Sequence, residues 1–372
     1  MPNHESPFIR QSPNGQSLDE TDCASESSLI AAARKHAITA CLKQVIEPCL
    51  NNNIVDLGMV RNLRIVDNYV YFRLYIGAHQ QGLKEQAQIA LGDLSWCEKA
   101  YIQTCTIPGV RTTLAVSSGK GGVGKSTTTV NLAAAMTKSG AKVGVLDADI
   151  YGPNVPQMLG LGQAEVEIVK TAEGDRFRPL EAHGIKVMSV GLLAEPDHPL
   201  AWRGPVLHKI ITQFIQEVDW GELDYLLIDL PPGTGDAQIT IIQESPICGV
   251  VMVTTPQQVA VSDVRRSIHM FRQVGVPVLG LVENMSYLVC GSCGERTSIF
   301  GTGGGEQMAA ELSVPLLGQV PIDPQVCARG DSGQPLPLAD EDAPLSRIFE
   351  GIALGLNNTF SPALNLVSTA LR

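Results

Sequence analysis

The sequence predicts an α/β protein whose larger part is a doubly wound, mostly parallel sheet, preceded by a smaller N-terminal α+β domain. From residue 112 onward, seven short apolar runs alternate with stretches of helical periodicity. Unbroken apolar runs are typical of strands covered on both faces, and helical crossovers between them favour parallel pairing. The third observation is a glycine-rich loop at 119–126, which lies between the first apolar run and a helical pattern.

The first 107 residues predict a tail followed by a small domain. Residues 1–28 are rich in Ser, Pro, Asn and acidic residues, which is typical of a disordered tail. In 29–107, a helical pattern stops near Pro48, and two strand patterns meet at an Asp-Asn turn, which predicts a hairpin. A second helix and a last strand follow, and PGVR at 108–111 predicts a linker.

The second domain is predicted over 112–360. Its seven strand patterns are, in chain order, TTLAVSS, AKVGVLDAD, IKVMSVGL, LDYLLIDLPPG, ICGVVMVTTP, VPVLGLVENM and VPLLGQVP. The segment GTGGGEQMAAEL is predicted as a loop that opens a helix, and residues past 355 are only weakly patterned.

Composition indicates a soluble, cytoplasmic protein that binds neither nucleic acid nor membrane. The net charge of −11 disfavours a broad electrostatic grip on nucleic acid or anionic lipid. No apolar stretch approaches the roughly 18 residues of a membrane span, and the N-terminus lacks a signal-peptide core. The nine cysteines are expected to be free thiols or metal ligands.

The glycine-rich loop has the spacing of a phosphate-binding loop. Glycine N–H groups can turn towards phosphate oxygens, and the following helix adds the positive end of its dipole. Lys125 is expected to reach the β- and γ-phosphates, and Ser126 to hold Mg²⁺. The competing interpretation is a glycine-rich turn with a structural role only. The predicted nucleotide-binding residues here are Gly119, Lys120, Gly121, Gly122, Val123, Gly124, Lys125, Ser126 and Thr127.

Polar residues end three of the predicted strands. Asp147 and Asp149 follow one apolar run, Asp229 ends another, and Asn284 ends a third. Ligands bind at the carboxyl edge of such sheets, and an Asp after an apolar run is typical of a residue that serves Mg²⁺. The competing interpretation for each of the four is turn formation or helix capping.

Cys290 and Cys293 are the one close pair among the cysteines. A C-x-x-C motif supplies two thiolates, whereas structural zinc and a typical iron–sulfur cluster each take about four protein ligands. Either distant cysteines or a second copy of the chain would complete the site. Gly291 and Gly294 allow N–H groups to turn towards the sulfurs. An inert pair, a thioredoxin-like dithiol and a dimer-bridging zinc are the alternatives, and zinc fits the ligand count equally well.

The loop at 119–126, with its second lysine at Lys120, resembles the deviant Walker A class of P-loop ATPases, which includes nitrogenase iron protein and the MinD/ParA proteins. The resemblance implies a P-loop NTPase sheet and a nucleotide-dependent homodimer, in which Lys120 reaches the ATP of the partner subunit. It also implies that Asp149 positions the attacking water, that Asp147 supports the metal site and that Asn284 binds the adenine.

The stretches DADIYGPNVPQMLG, DLPPGTGD and ENMSYLVCGSCGERTSIFGTGGGEQMAAEL resemble the Mrp/ApbC iron–sulfur carriers, over about 110–345. The resemblance implies that Cys290 and Cys293 hold a [4Fe–4S] cluster between two subunits. It further implies that the ATP site supports transfer of the cluster to apoproteins, and that assembly scaffold proteins are partners. A ParA/MinD-type positioning ATPase and an ATP-binding dimer without useful turnover are the competing functions.

The N-terminal domain resembles the PaaD/SufT-like domain that is often fused to these carriers, through NNNIVDLGMVRNLRI. Two departures stand out. Glu47-Pro48-Cys49 replaces the usual Asp-Pro-Glu, and IGAHQQG replaces the usual Thr and Cys-Pro after the second strand. A scaffold or client-docking role is therefore expected for this domain.

Overall fold

The computed structural model describes residues 20–360, except for 78, 79, 81, 151, 163, 172, 173 and 194–203. The N-terminal unit contains α1 (Glu20–Leu42), β1 (Ile46–Glu47), β2 (Asn52–Asn53), β3 (Val60–Val66), β4 (Tyr69–Tyr75), α2 (Gly82–Gly92) and β5 (Lys99–Cys105). The larger unit contains β6 (Val110–Ser118), α3 (Lys125–Lys138), β7 (Val143–Asp147), α4 (Val155–Met158), β8 (Glu167–Thr171), β9 (Gly174–Arg178), β10 (Leu180–Ala182), β11 (Ile185–Ser189), a 3₁₀ turn (Val190–Leu193), α5 (Gly204–Gln216), β12 (Leu223–Asp229), α6 (Asp236–Glu244), β13 (Gly249–Thr254), α7 (Gln258–Gln273), β14 (Val278–Val289), β15 (Arg296–Thr297), α8 (Gly304–Glu311), β16 (Leu316–Ile322), α9 (Pro324–Asp331), α10 (Leu336–Ala339) and α11 (Pro344–Phe360).

The N-terminal unit is a three-stranded sheet with two helices on one face. Strands β3 and β4 form the predicted antiparallel hairpin, and β5 joins β4 in parallel. Residues of α1 and α2, such as Ile38 and Leu83, form one core with Phe72 of the sheet. The prediction of a tail over 1–28 is wrong for its last part, because α1 begins at Glu20; residues 1–19 lie outside the described residues.

All seven predicted strands of the larger unit lie side by side in one sheet. Their order is β11-β7-β12-β6-β13-β14-β16, and every neighbouring pair in this series is parallel. Strand β6 begins at Val110, so it already includes two residues of the predicted linker at 108–111. The helix predicted in GTGGGEQMAAEL is confirmed as α8.

Helices cover both faces of this sheet and produce two separate cores. One core includes Phe214 of α5 and Phe271 of α7, and the other includes Leu132 of α3 and Phe349 of α11. The doubly wound prediction is therefore confirmed. The antiparallel edge strands β10 and β15, and the separate two-stranded β8–β9 hairpin, have no counterpart in the sequence prediction.

The two units touch at several points. A Cβ on Gly58 would lie 2.3 Å from the carbonyl oxygen of Gly275, so only glycine permits this close approach. Arg61 donates to the carbonyl oxygen of Ile242 in the last turn of α6, where the helix dipole favours a cation. Among the described helices, none combines the length and the apolar composition that a transmembrane span needs.

Candidate functional site

The phosphate-binding loop connects β6 to α3 at the carboxyl edge of the parallel sheet. Glycine is required at two of its positions because other atoms approach closely. A Cβ at Gly124, where φ is 82°, would lie 2.2 Å from the Asn284 amide nitrogen, and one at Gly119 would lie 2.3 Å from the backbone of α7. Gly121 and Gly122 have open space beside them, and the loop lines a cavity of about 440 Å³.

The ammonium group of Lys125 contacts two carboxylates beside this cavity. Its Nζ lies 2.7 Å from Oδ2 of Asp229 and 3.3 Å from Oδ2 of Asp149. All three side chains are largely buried. Burial acts to lower the pKa of Lys125, but the nearby aspartates together outweigh it, so the pKa is raised. The lysine is therefore a charged cation, placed where phosphate oxygens can take over its carboxylate contacts.

Oxygen ligands suited to Mg²⁺ are grouped around Asp229. The hydroxyl of Ser126 donates to its Oδ2 at 2.6 Å, and the hydroxyl of Thr129 donates to its Oδ1 at 2.7 Å. Hydroxyl and carboxylate oxygens are the hard donors that Mg²⁺ prefers. The donor set fits Mg²⁺, with Ser126 and Asp229 as the residues that would hold it.

Asp147 lies deeper than the other two aspartates and has no exposed area. Its carboxylate accepts hydrogen bonds from the N–H groups of Asp149 at 3.1 Å and Val155 at 3.3 Å, and from the Ser189 hydroxyl at 3.0 Å. Burial and, next, the negative charge of Asp229 raise the pKa of Asp147 to about 8. This geometry gives Asp147 a supporting role, because it fixes the turn that carries Asp149.

Lys120, the second lysine of the loop, also lines the cavity. Its Nζ lies 3.4 Å from Oε1 of Gln257, the residue that precedes α7. A neutral amide oxygen holds an ammonium group less strongly than a carboxylate does, so Lys120 can exchange this contact for an anionic phosphate. Its approach to the nucleotide of a partner subunit remains a prediction.

Asn284 lies in β14, on the other side of the loop. Its Nδ2 donates to the carbonyl oxygen of Val123 at 2.8 Å, so the side chain is bonded to the phosphate loop itself. A second cavity of about 370 Å³ adjoins it, lined by Thr127 and by apolar side chains such as Ile322. An apolar slot next to a phosphate loop has the character of a base-binding pocket. The adenine contact of Asn284 remains a prediction.

The cysteine pair lies in a tight loop between β14 and β15. The N–H of Cys290 donates to the carbonyl oxygen of Glu295 at 2.9 Å, and Gly294, with φ of 74°, closes the turn. The N–H groups of Cys293 and Ser292 donate to the sulfur of Cys290 and lower the pKa of this thiol. Cys290 is half-buried and Cys293 is exposed, so the pair offers two thiols at the surface, and backbone N–H groups favour the anionic form of the first.

No third ligand accompanies the pair in the described part of the chain. There, no group of three or more His, Cys, Asp and Glu side chains is placed to share a metal ion. Cys248 and Cys327 are the other candidates that could have completed the site. Desolvation raises the pKa of Cys248 to about 11, which disfavours a thiolate, and Cys327 lies on α9. The nucleotide residues thus form one site, and the thiols lie in a separate loop at the end of β14.

Glu283, a fully buried carboxylate next to Asn284 in β14, is not among the residues predicted from the sequence. Three donors surround it: the Ser286 hydroxyl, the Gly305 N–H and the Gln319 amide. These bonds fix the end of β14 against α8 and β16. A charged residue inside an otherwise apolar strand was the signal that could have identified it.

These features define a P-loop nucleoside triphosphatase of the ATPase class. They are a parallel sheet, a G-x-x-x-x-G-K-S loop at its carboxyl edge, a buried lysine and a strand-end aspartate. The chain belongs to the family described as NUBPL iron-transfer P-loop NTPase, whose model matches residues 109–357. A second family model, described as iron-sulfur cluster assembly protein, matches residues 35–103. The three resemblances inferred from the sequence, to the P-loop ATPases, to the iron–sulfur carriers and to the fused N-terminal domain, are confirmed.

Curated relatives match nearly the whole chain. A protein of Synechocystis named iron-sulfur cluster carrier protein is 43% identical over 335 residues, which are 85% of this chain and 95% of the relative. The protein of the same name in Escherichia coli K12 is 39% identical over 339 residues, covering 86% of this chain and 91% of the relative.

Solved structures share the fold of the larger unit. A nucleotide-binding protein from Archaeoglobus fulgidus in complex with ADP is 39% identical, covers 65% of this chain and 93% of its own, and has a TM-score of 0.56. The septum site-determining protein MinD from Pyrococcus horikoshii, complexed with Mg-ADP, is 20% identical, with coverages of 68% and 98% and a TM-score of 0.51. The second likeness shows the fold alone.

Ionisation of Asp147 should lower the stability of the nucleotide-free protein as the pH rises. Its pKa is about 8 in the native state against 3.8 ordinarily, so the native state keeps a proton that the unfolded chain releases. The free energy of unfolding should therefore fall between about pH 5 and pH 8, by at most about 1.4 kcal/mol per pH unit for this proton. Urea denaturation of wild type and Asp147→Asn at several pH values measures the difference.

The exposed Asp93 provides the matched control, since Asp93→Asn should leave the pH dependence as it is in the wild type. Asp147→Asn should flatten it. Parallel curves for wild type and Asp147→Asn would show that Asp147 is already ionised in the native state.

Proposed function

We propose that the chain binds an iron–sulfur cluster as its cargo on Cys290 and Cys293 and transfers it to apoproteins, with ATP bound and hydrolysed at the phosphate loop. The observation that carries the proposal is the surface pair of Cys290 and Cys293, in which backbone N–H groups are directed at the sulfur of Cys290. The names of the relatives from Synechocystis and Escherichia coli support the cargo, and the description of the family supports iron transfer.

The number of ligands favours a homodimer that shares one [4Fe–4S] cluster. Each chain offers two neighbouring thiols, whereas such a cluster takes four. A twofold axis through the exposed loop would bring four cysteines together, and the exposure of Cys293 leaves room for the second copy. The same axis would let Lys120 of each chain approach the ATP of the other.

The residues around the cavity have separable tasks in ATP hydrolysis. Lys125 binds the β- and γ-phosphates, and in doing so it exchanges its longer contact, that with Asp149. Asp149, once released, orients the attacking water, and Lys120 of the partner stabilises charge on the transferred phosphoryl group. Mg²⁺, held by Ser126 and Asp229, would neutralise charge on the phosphates.

Strand β14 connects the ATP site to the thiols. Asn284 binds the phosphate loop, and Cys290 follows six residues later. Between them, Met285 has a φ of 54°, and the pairing with β16 shifts register between Asn284 and Leu288. Movement of Asn284 upon nucleotide binding would be passed through this irregular backbone to the cysteine loop.

The compartment and the partners follow from the same chemistry. A cluster held on Cys290 and Cys293 needs these thiols in reduced form, so we place the protein in the reducing cytoplasm. The cluster would arrive from assembly scaffold proteins and leave to apoproteins. The acidic net charge of −11 supports protein partners over nucleic acid or membrane.

Alanine substitution of the two loop lysines should affect different steps, ATP binding for Lys125 and ATP hydrolysis for Lys120. Lys125→Ala should abolish ATP binding, because the phosphates lose their principal side-chain cation. Lys120→Ala should bind ATP with little loss and hydrolyse it at least about tenfold more slowly, because its charge acts in the transition state. Nucleotide titration and phosphate release measure the two effects. An equal loss of ATP binding in both variants would contradict the role of Lys120 across the dimer.

Cys290→Ser and Cys293→Ser should each remove the cluster and leave ATP binding intact. Symmetry applies each change twice, so a shared cluster loses two of its four ligands. Serine keeps the size of the side chain but is a much poorer ligand for iron. Iron and sulfide content after anaerobic reconstitution, together with the visible spectrum, measures the loss.

Cys327→Ser is the matched control, because Cys327 is also an exposed thiol. This variant should keep a full complement of iron. Loss of iron in Cys327→Ser, with retention in Cys293→Ser, would move the site away from the C-x-x-C loop. Zinc in place of iron would indicate a structural metal site.

A further inference from the structure

An exposed aromatic and basic surface lies on the N-terminal unit, on the side of its sheet opposite α1 and α2. The strands bury Val70, Phe72 and Ile102 against the helices, so the alternate residues face outward. We use the name tyrosine face for five of these outward residues: Arg64, Tyr71, Arg73, Lys99 and Tyr101.

The two tyrosines of this face are stacked and open to solvent. Tyr71 pairs with Tyr101 across β4 and β5, with ring centroids 4.9 Å apart and planes at 6°. The two residues are 37% and 43% exposed, respectively. Lys99 places its Nζ 4.9 Å from the centroid of the Tyr101 ring. Stacking fixes the rings before any partner arrives, so little side-chain entropy is lost on binding.

Two arginines flank the stacked rings. Arg64 pairs with Tyr71, and Arg73 lies two residues further along β4; both line a shallow depression of about 560 Å³. Diagonal neighbours of this kind lie about 7–8 Å apart. Acidic residues at positions i and i+2 of an extended peptide are about 7 Å apart, so one peptide strand can place a carboxylate on each arginine.

The tyrosine face has the opposite sign to the rest of the chain. The whole chain has a net charge of −11, whereas residues 29–107 contain eight Lys and Arg against six Asp and Glu. A local positive surface on an acidic protein selects an anionic partner. Proteins bind nucleic acid through contacts with many phosphates. Because the face has few cations and the whole chain is negatively charged, its affinity for nucleic acid should be low.

We propose that the tyrosine face docks an acidic, extended peptide segment of a client protein, with its carboxylates on Arg64 and Arg73 and an apolar or aromatic side chain on the stacked rings. Tyr and Arg are the residue types that contribute most binding energy in protein interfaces. The identity of the partner as an apoprotein client rests on the proposed function. The binding of an acidic peptide to the tyrosine face does not depend on the proposed function.

Peptide titration tests the docking directly. The probe is a fluorescein-labelled peptide of 12 residues with glutamate at alternating positions and one central tryptophan, followed by fluorescence anisotropy. Arg64→Gln combined with Arg73→Gln should weaken its binding about tenfold, the loss expected for two partly exposed charge-assisted contacts. Lys35→Gln combined with Lys84→Gln removes the same charge from the helical side and should leave binding unchanged.

Three results would overturn the proposal: no binding to the wild type, equal binding to the Arg64 and Arg73 double variant, or tighter binding of a 12-nucleotide oligouridylate.

Cluster transfer to an acidic apo-ferredoxin then tests the client role. The double variant should transfer at least about threefold more slowly while keeping its iron content and ATP turnover. A wild type without iron would instead reject the proposed function and leave the peptide result standing.

Discussion

The buried ammonium group of Lys125 is the constraint on which the site depends. A charge in this position would cost several kcal/mol if it were unpaired, so Asp229 and Asp149 must lie beside it. Asp229 is held in turn by Ser126 and Thr129 from the first turns of α3. The helix and the ends of β7 and β12 are therefore tied together around one charge. A phosphate, which brings its own negative charge, can enter without leaving the lysine unpaired.

The nucleotide and the thiols share a single structural element. Strand β14 contacts the phosphate loop through Asn284 and is held against α8 by the hydrogen bond from the Gly305 N–H to Glu283. It then continues into the cysteine loop. In the proposed function, the anchored start of the strand and the irregular stretch at Met285 would let the end of the strand shift when nucleotide binds. That coupling would give a nucleotide-binding protein a physical reason to carry a surface pair of thiols at this point of the chain.

Local patterns predicted the elements with strong periodicity and missed those that depend on distant partners. The seven parallel strands could be predicted because short unbroken apolar runs are typical of strands buried on both faces. The β8–β9 hairpin is half polar and gains its order from pairing, and α1 begins at Glu20 in a polar stretch without helical periodicity. Motif spacing identified the phosphate loop and the cysteine pair. The bond from Asn284 to Val123 depends on tertiary register, which no local pattern encodes.

Iron content per chain, measured together with molecular mass, tests the central claim most directly. Anaerobically reconstituted protein should be brown and dimeric, with about two irons and two sulfides per chain, because two chains supply the four thiolates. A colourless protein that contains zinc would contradict the proposal that the chain binds an iron–sulfur cluster. A monomer with about four irons per chain would contradict the shared site, because one chain would then supply every ligand.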